Sequence, residues 1–153
     1  TMNILVRKAN VADAEAIHAL IEKLAPLFLQ QIDFKQLSSF KLEKYKEYLQ
    51  SSQYHFYVAS EFQQIVGVIA LRDPAHLYHL YVAETHHRKG IAKKLWNHVL
   101  QFQKSMHPDH KVMSVNASLN AVETYCKLGF ERLADGHEEM NGLQFVPMKY
   151  MIP

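Results

Sequence analysis

Residues 84–96, ETHHRKGIAKKLW, gather His86, His87, Arg88, Lys89, Lys93 and Lys94 around Gly90 and then turn apolar at helical spacing. A strand that runs into a glycine turn at a helix start leaves several backbone N–H groups unpaired and pointing outward, a natural anion site. Gly90 permits close backbone approach, and the cations add longer-range attraction. A phosphate or pyrophosphate is the expected guest. No second and third glycine complete a dinucleotide fingerprint and no Gly-Lys-Ser/Thr completes a Walker loop, so the turn belongs to another phosphate-binding design.

The elements that must position this turn are legible in the periodicity. Residues 3–8 alternate as a strand, and Asn10 stands as an N-cap before Val11, Ala14, Ile17, Ile21 and Leu24, a helix expected to end near Pro26. Residues 27–52 read as irregular helix with Leu42, Tyr45 and Leu49 on its apolar face. Residues 54–60 and 65–71 are aromatic and β-branched, the mark of a hairpin, although its turn lacks Gly or Asn. Asp73-Pro74 breaks the chain before a strand over 75–82. After Gly90, Ile91, Leu95, Val99 and Phe102 share one helical face. A strand over 110–116, a helix over 119–128 closing at Gly129, and two strands near 130–133 and 143–151 complete the chain. Pro147 predicts that the last strand lies at an edge or carries a bulge. The order implies an α/β domain with a mixed sheet.

His87-Arg88-Lys89-Gly90-Ile91-Ala92 resembles the pyrophosphate loop of the GNAT acetyltransferase superfamily, Gln/Arg-x-x-Gly-x-Gly/Ala, at every position but the first. Asn116-Ala-Ser118-Leu-Asn-Ala-Val-Glu-Thr-Tyr125-Cys-Lys-Leu-Gly129-Phe130 is similar to the segment in which this family sets a tyrosine beside the coenzyme sulfur. The resemblance covers residues 54–130. It implies a GNAT-like fold over residues 2–153, a mixed, mostly antiparallel sheet of about seven strands with about four flanking helices. It further implies acetyl-CoA as cosubstrate and direct transfer of acetyl to a primary amine of a small molecule or peptide, with no covalent enzyme intermediate. On this likeness the backbone of Leu80, Tyr81 and Val82 follows the pantetheine arm. The N–H groups of Arg88, Lys89, Gly90, Ile91 and Ala92 surround the pyrophosphate, with His87 at the departing first position. Asn116 and Asn120 are further coenzyme contacts, and Tyr125 donates to the leaving thiolate.

An amine attacks a thioester only when unprotonated, and one with a pKa near ~10.4 is about a thousandfold protonated at neutral pH. The acidic residue that the family usually carries on its central strand is missing from residues 65–71, so the expected proton acceptor is His79, or a water chain ending on Glu84. Phe28, Phe34, Phe40, Tyr45 and Tyr48 are expected to wall the acceptor side.

Composition bounds the alternatives. At 153 residues with one cysteine, Cys126, the chain suits one core, no intrachain disulfide and a reducing cytoplasm, and Cys126 reads as a small buried hydrophobe. The longest apolar run, residues 65–71, falls far below the ~18 residues of a membrane span, and the N-terminus shows no signal pattern, so no membrane association is expected. His76, His79, His86 and His87 match no metal-ligand spacing, and no metal is expected. A net charge of +2 is too mild to indicate nucleic acid, which ranks last among the readings. The competing class is a catalytically silent acyl-CoA-binding or sensing module. Phe145, Val146 and Met148 on the last strand suggest pairing into a homodimer across a two-fold axis.

Overall fold

Asn10 starts the first helix as its side chain predicts. Its Oδ1 accepts from the Ala12 N–H, while Asp13 accepts from the Asn10 N–H, a reciprocal capping box whose carboxylate is gripped by Arg7 at 2.9 Å. The computed structural model describes residues 3–28 and 37–153, without the side chains of Phe28 and Ser38. The strands are β1 (Ile4–Lys8), β2 (Tyr54–Glu61), β3 (Gln64–Arg72), β4 (His76–Val82), β5 (Val112–Ser118), β6 (Glu131–Arg132), β7 (Glu138–Met140) and β8 (Leu143–Met151). The helices are α1 (Ala14–Phe28), α2 (Leu42–Gln50), α3 (Ile91–Met106) and α4 (Val122–Leu128). Pro26 lies inside the last turn of α1, so that helix runs two residues past its predicted end.

The strands form one 8-stranded sheet in the order β1-β2-β3-β4-β5-β8-β6, with β7 also on β8. All pairings are antiparallel except β4 with β5. The expected mixed, mostly antiparallel α/β sheet is present, with the short β7 added between the two expected final strands. Ile91, Leu95, Trp96 and Val99 of α3 bury against one face with Leu71, Leu77, Val115 and Met148. Ile17, Ile21 and Leu24 of α1 and Tyr45 of α2 bury against the other with Phe56, Val58, Val68 and Ala70. A helix on each face of the central strands removes apolar area from water on both sides, as sheets of this type require.

The edge expectation for the last strand is corrected: β8 pairs with β5 on one side and with β6 and β7 on the other. Pro147 is tolerated inside because it falls between the registers of β6, which ends opposite Met148, and β7, which begins opposite Phe145. Its carbonyl still accepts from the Leu133 N–H. The dimer route through Phe145, Val146 and Met148 is corrected with it, since β8 has no open edge there and Val146 and Met148 are core residues. Cys126 is exposed rather than buried, on the outer face of α4. Phe34 lies outside the described residues. No described helix is long and apolar enough to cross a membrane.

The β2–β3 turn forms without Gly or Asn by holding Phe62 at φ 49 and Gln63 at φ 68. Both dihedrals belong to the left-handed region that a two-residue hairpin turn demands and ordinary side chains resist. Phe62 is 80 % exposed and contributes little burial. Replacing Phe62-Gln63 by Asn-Gly is therefore expected to stabilise the fold by about 1–2 kcal/mol, read as a higher urea midpoint at unchanged m-value.

Candidate active site

β4 and β5 pair through only His76↔Ser114 and Leu77↔Val115. Beyond those residues the strands part, so the β5-facing backbone groups of Leu80, Tyr81 and Val82 have no partner strand. The cause is visible in β4. Its register against β3 shifts between Ala70↔His79 and Leu71↔Leu77, which leaves Tyr78 as the extra residue of a bulge. Alternation is broken there: Tyr78 and His79 both face α1 and α2, where their rings lie 4.4 Å apart, while Leu77 and Leu80 pack toward α3.

The start of α3 lies at the open end of this cleft. Gly90 caps the helix at φ 79 with no side-chain cap bond, and the first turn closes only at Lys94 N–H to Gly90 carbonyl, 3.0 Å. The N–H groups of Ile91, Ala92 and Lys93 thus point out of the helix end, and Arg88 at φ 63 turns the chain before it. The fit to a diphosphate is good: free amide donors, the positive end of a sixteen-residue helix, and Arg88, Lys89 and Lys93 nearby. Two contacts hold the turn. His86 Nε2–H donates to Glu61 Oε1 at 2.8 Å, tying it to the β2–β3 hairpin, and Leu95 and Ile91 pack onto β3 where a Cβ on Gly67 would meet them at 3.1 and 3.2 Å.

Two residues expected to touch coenzyme are engaged elsewhere. His87 Nε2–H donates to the Val82 carbonyl at 2.6 Å, bracing the end of β4. Asn120 Nδ2–H donates to the Leu27 carbonyl, joining the start of α4 to the end of α1. Asn116 is exposed on β5, one residue past the last β4 pairing, where the split begins. Lys94 caps the Ile4 carbonyl of β1 at 2.8 Å.

Tyr125 is placed by the way α4 ends. Gly129 at φ 108 bonds back to the Cys126 carbonyl, and the Phe130 N–H bonds to the Tyr125 carbonyl at 3.0 Å, a Schellman ending. The apolar contact that accompanies such endings is the edge-on packing of the Phe130 and Tyr125 rings, 5.5 Å between centroids. Tyr125 is buried to 6 % exposure in the α3-side core, and its hydroxyl makes no hydrogen bond among the described residues. Burial pushes the phenol well above the ordinary tyrosine range. Tyr81, across the split on β4, is raised as well, first by burial and then by the field of Tyr125.

His79 is a poor proton acceptor. It stacks on Phe40 at 5.9 Å, shares a hydrogen bond between its Nε2 and the Tyr45 hydroxyl at 3.2 Å, and is only 6 % exposed. Burial pulls its pKa down to about 3, opposed only in part by the Tyr78 backbone. Taking a proton from an ammonium of pKa ~10.4 would then be uphill by about 10 kcal/mol. Phe40 and Tyr45 are buried core residues around His79, and Tyr48 packs half-buried against them.

The unfolded chain titrates His79 near ~6.5, so between that value and about 3 the unfolded state binds the extra proton and stability falls as pH drops. The contribution is complete above about pH 6.5 and declines by about 1.4 kcal/mol per pH unit below it. Between pH 7.5 and pH 5 wild type is expected to lose about 2 kcal/mol more than His79→Phe in urea unfolding. Equal slopes would show that His79 is accessible to protons.

The site is thus that of an α/β domain with a split mixed sheet, a helix N-terminus at the mouth and a buried tyrosine beside the gap. The chain belongs to the GNAT acetyltransferase family, whose domain profile, Acetyltransferase (GNAT) domain, matches residues 19–152. It is 30 % identical over 122 residues to N-acetyltransferase 8B of Rattus norvegicus, a match covering 71 % of this chain and 55 % of that protein. The chain thus spans about half the length of the curated relatives it matches. Among solved structures it superposes on PaiA N-acetyltransferase from Thermoplasma acidophilum, in complex with coenzyme A, with TM-score 0.78 at 20 % identity, over 98 % of this chain and 99 % of that one. A GCN5-related N-acetyltransferase from Rhodopseudomonas palustris gives TM-score 0.76 at 21 % identity, over 99 % and 98 % of the two chains. These structures share the fold. Among the described residues no group of His, Cys, Asp and Glu is arranged to hold a metal ion.

Proposed function

We propose that this chain transfers acetyl from acetyl-CoA directly to a primary amine. The observation that carries the reading is the parting of β4 and β5 after Leu77 and Val115, with open α3 amides at its mouth and Tyr125 beside the gap. Family membership and the coenzyme A complex of the PaiA fold relative agree with it.

In this reading the α3 amides with Arg88, Lys89 and Lys93 hold the diphosphate, and the edge of β4 from Leu80 up to the Val82 carbonyl that His87 holds lies along the pantetheine arm as an added strand would. The amine nitrogen attacks the thioester carbonyl carbon, the C–S bond breaks, the Tyr125 O–H donates a hydrogen bond to the departing sulfur, and the second N–H proton leaves to solvent or to the thiolate as the amide forms. The amine's proton leaves to solvent before attack, because His79 is too weak a base to take it. An acceptor of low pKa loses little by this; an alkylamine reacts through the roughly one part in a thousand that is neutral at pH 7. The acceptor enters from the α1–α2 side, opposite α3.

Mixing the protein with acetyl-CoA and a panel of amines tests the reading: release of free thiol only when an amine is present is expected. The lack of a charged base at the described acceptor face favours one second reading, a silent acyl-CoA-binding module. That reading predicts calorimetric binding of coenzyme A with no thiol release from any amine.

A further inference from the structure

Arg72 ends β3 in register with Tyr54 of β2 and His76 of β4, at the closed end of the split. It faces the α1–α2 side, where its guanidinium carbon lies 5.6 Å from the centre of the Tyr78 ring. Tyr48, Tyr54 and Tyr78 form a half-buried cluster there, their ring centres 4.5 to 5.5 Å apart. Among the described residues Arg72 has no ion-pair or hydrogen-bond partner, although a half-buried guanidinium ordinarily finds one.

The tyrosines sharpen the imbalance. The Tyr48 and Tyr78 hydroxyls lie 3.1 Å apart, and either can donate. Two phenols carry two protons and their mutual bond uses one, so the second O–H lacks an acceptor among the described residues. A cationic fork and a spare phenol proton converge where, among the described residues, no carboxylate pairs with either. His76, the other polar group facing Arg72, is itself satisfied by Ser114 Oγ at 2.7 Å. The surroundings offer donors and call for an anionic acceptor.

Resting on the transfer reading above, we propose that Arg72, with Tyr48 and Tyr78, anchors a carboxylate of the acceptor amine. The coenzyme's phosphates are assigned to the opposite end of the split, so the anion bound here belongs to the other substrate. Tyr78 lies three residues before Tyr81 on β4, roughly 10 Å at strand rise, and Tyr81 is close enough to Tyr125, assigned to the transfer point, to feel its field. An extended tripeptide spans roughly the same 10 Å from amine to carboxylate. The acceptor class is thus a short peptide or a long ω-amino acid, whereas a polyamine would set a second cation against Arg72.

The test uses glycyl-glycyl-phenylalanine and its C-terminal amide, which differ only in the charge that Arg72 would read. Binding is measured by calorimetry with and without coenzyme A, alongside acceptor KM and turnover from thiol release. Wild type is expected to bind the acid at least about tenfold more tightly than the amide. Arg72→Gln is expected to abolish the difference, leaving coenzyme affinity unchanged and turnover at saturation within about threefold; Arg72→Lys, which keeps charge without the fork, is expected to retain part of it. Acid and amide bound equally by wild type, or a preference that survives Arg72→Gln, overturns the anchor. Acid preference without any thiol release upholds the anchor and overturns the transfer reading instead.

Discussion

Tyr125→Phe is expected to lower the turnover number of acetyl transfer by about a hundredfold while weakening coenzyme A binding by less than about threefold. The substitution is well isolated. Phenylalanine keeps the ring that packs on Phe130 and leaves the Gly129 ending of α4 undisturbed, so only the hydroxyl is lost. That hydroxyl remains protonated throughout the working range because burial raises it, and a thiol titrates near ~8.5, so full proton transfer to the thiolate is uphill. Tyr125 therefore acts as a hydrogen-bond donor to charge that develops on sulfur, a contact stronger in the transition state than in the ground state. Such a contact raises turnover and contributes little to affinity. The rate should climb with pH as the acceptor deprotonates, with no falling limb from the phenol below pH 10. Thiol release at saturating acetyl-CoA and amine, compared with coenzyme affinity by calorimetry, reads both quantities. Turnover equal to wild type would remove Tyr125 from the chemistry.

The parts of this site that were legible in the sequence are those fixed by neighbours in the chain. Asn10, three residues before Asp13, announces the capping box, and the apolar spacing of Ile91, Leu95 and Val99 announces α3. Gly129-Phe130 encodes both the end of α4 and the packing that orients Tyr125, all within six residues. What stayed hidden depends on strand register, which no local pattern specifies. The bulge at Tyr78 reverses the alternation expected along β4, and it turns His79 from a candidate base into a caged neutral ring. Arg72 carries no local signal in the sequence; its company with Tyr54, Tyr78 and Tyr48 arises only when β2, β3, β4 and α2 assemble. Asn120 finds Leu27 across 93 residues of sequence. Pro147 suggested an edge because the rule assumes a continuous neighbour, whereas β6 and β7 leave a gap opposite it.

Gly90 carries the second large effect, and a graded series separates conformation from charge. At φ 79 the residue lies in the left-handed region, and no atom stands within 4 Å of where a Cβ would be placed. In the free protein a substitution thus meets a conformational penalty rather than a clash. Asparagine tolerates this region best among ordinary residues, alanine less, and a β-branched residue least. The expected order of weakening coenzyme A affinity is Gly90→Asn, then Gly90→Ala, then Gly90→Val, with the valine variant weaker than wild type by at least about tenfold. The strain acts on the site because relaxing φ swings the Ile91, Ala92 and Lys93 amides away from the common point at which they aim. Turnover at saturating acetyl-CoA should change by less than about threefold, since Tyr125 and the acceptor face are held by α4, β4 and α2. Dissociation constants from calorimetry, with urea midpoints as a control for folding, decide the matter. A series in which affinity stays level while the valine variant remains folded would mean that the diphosphate binds elsewhere, and the placement of acetyl beside Tyr125 would fall with it.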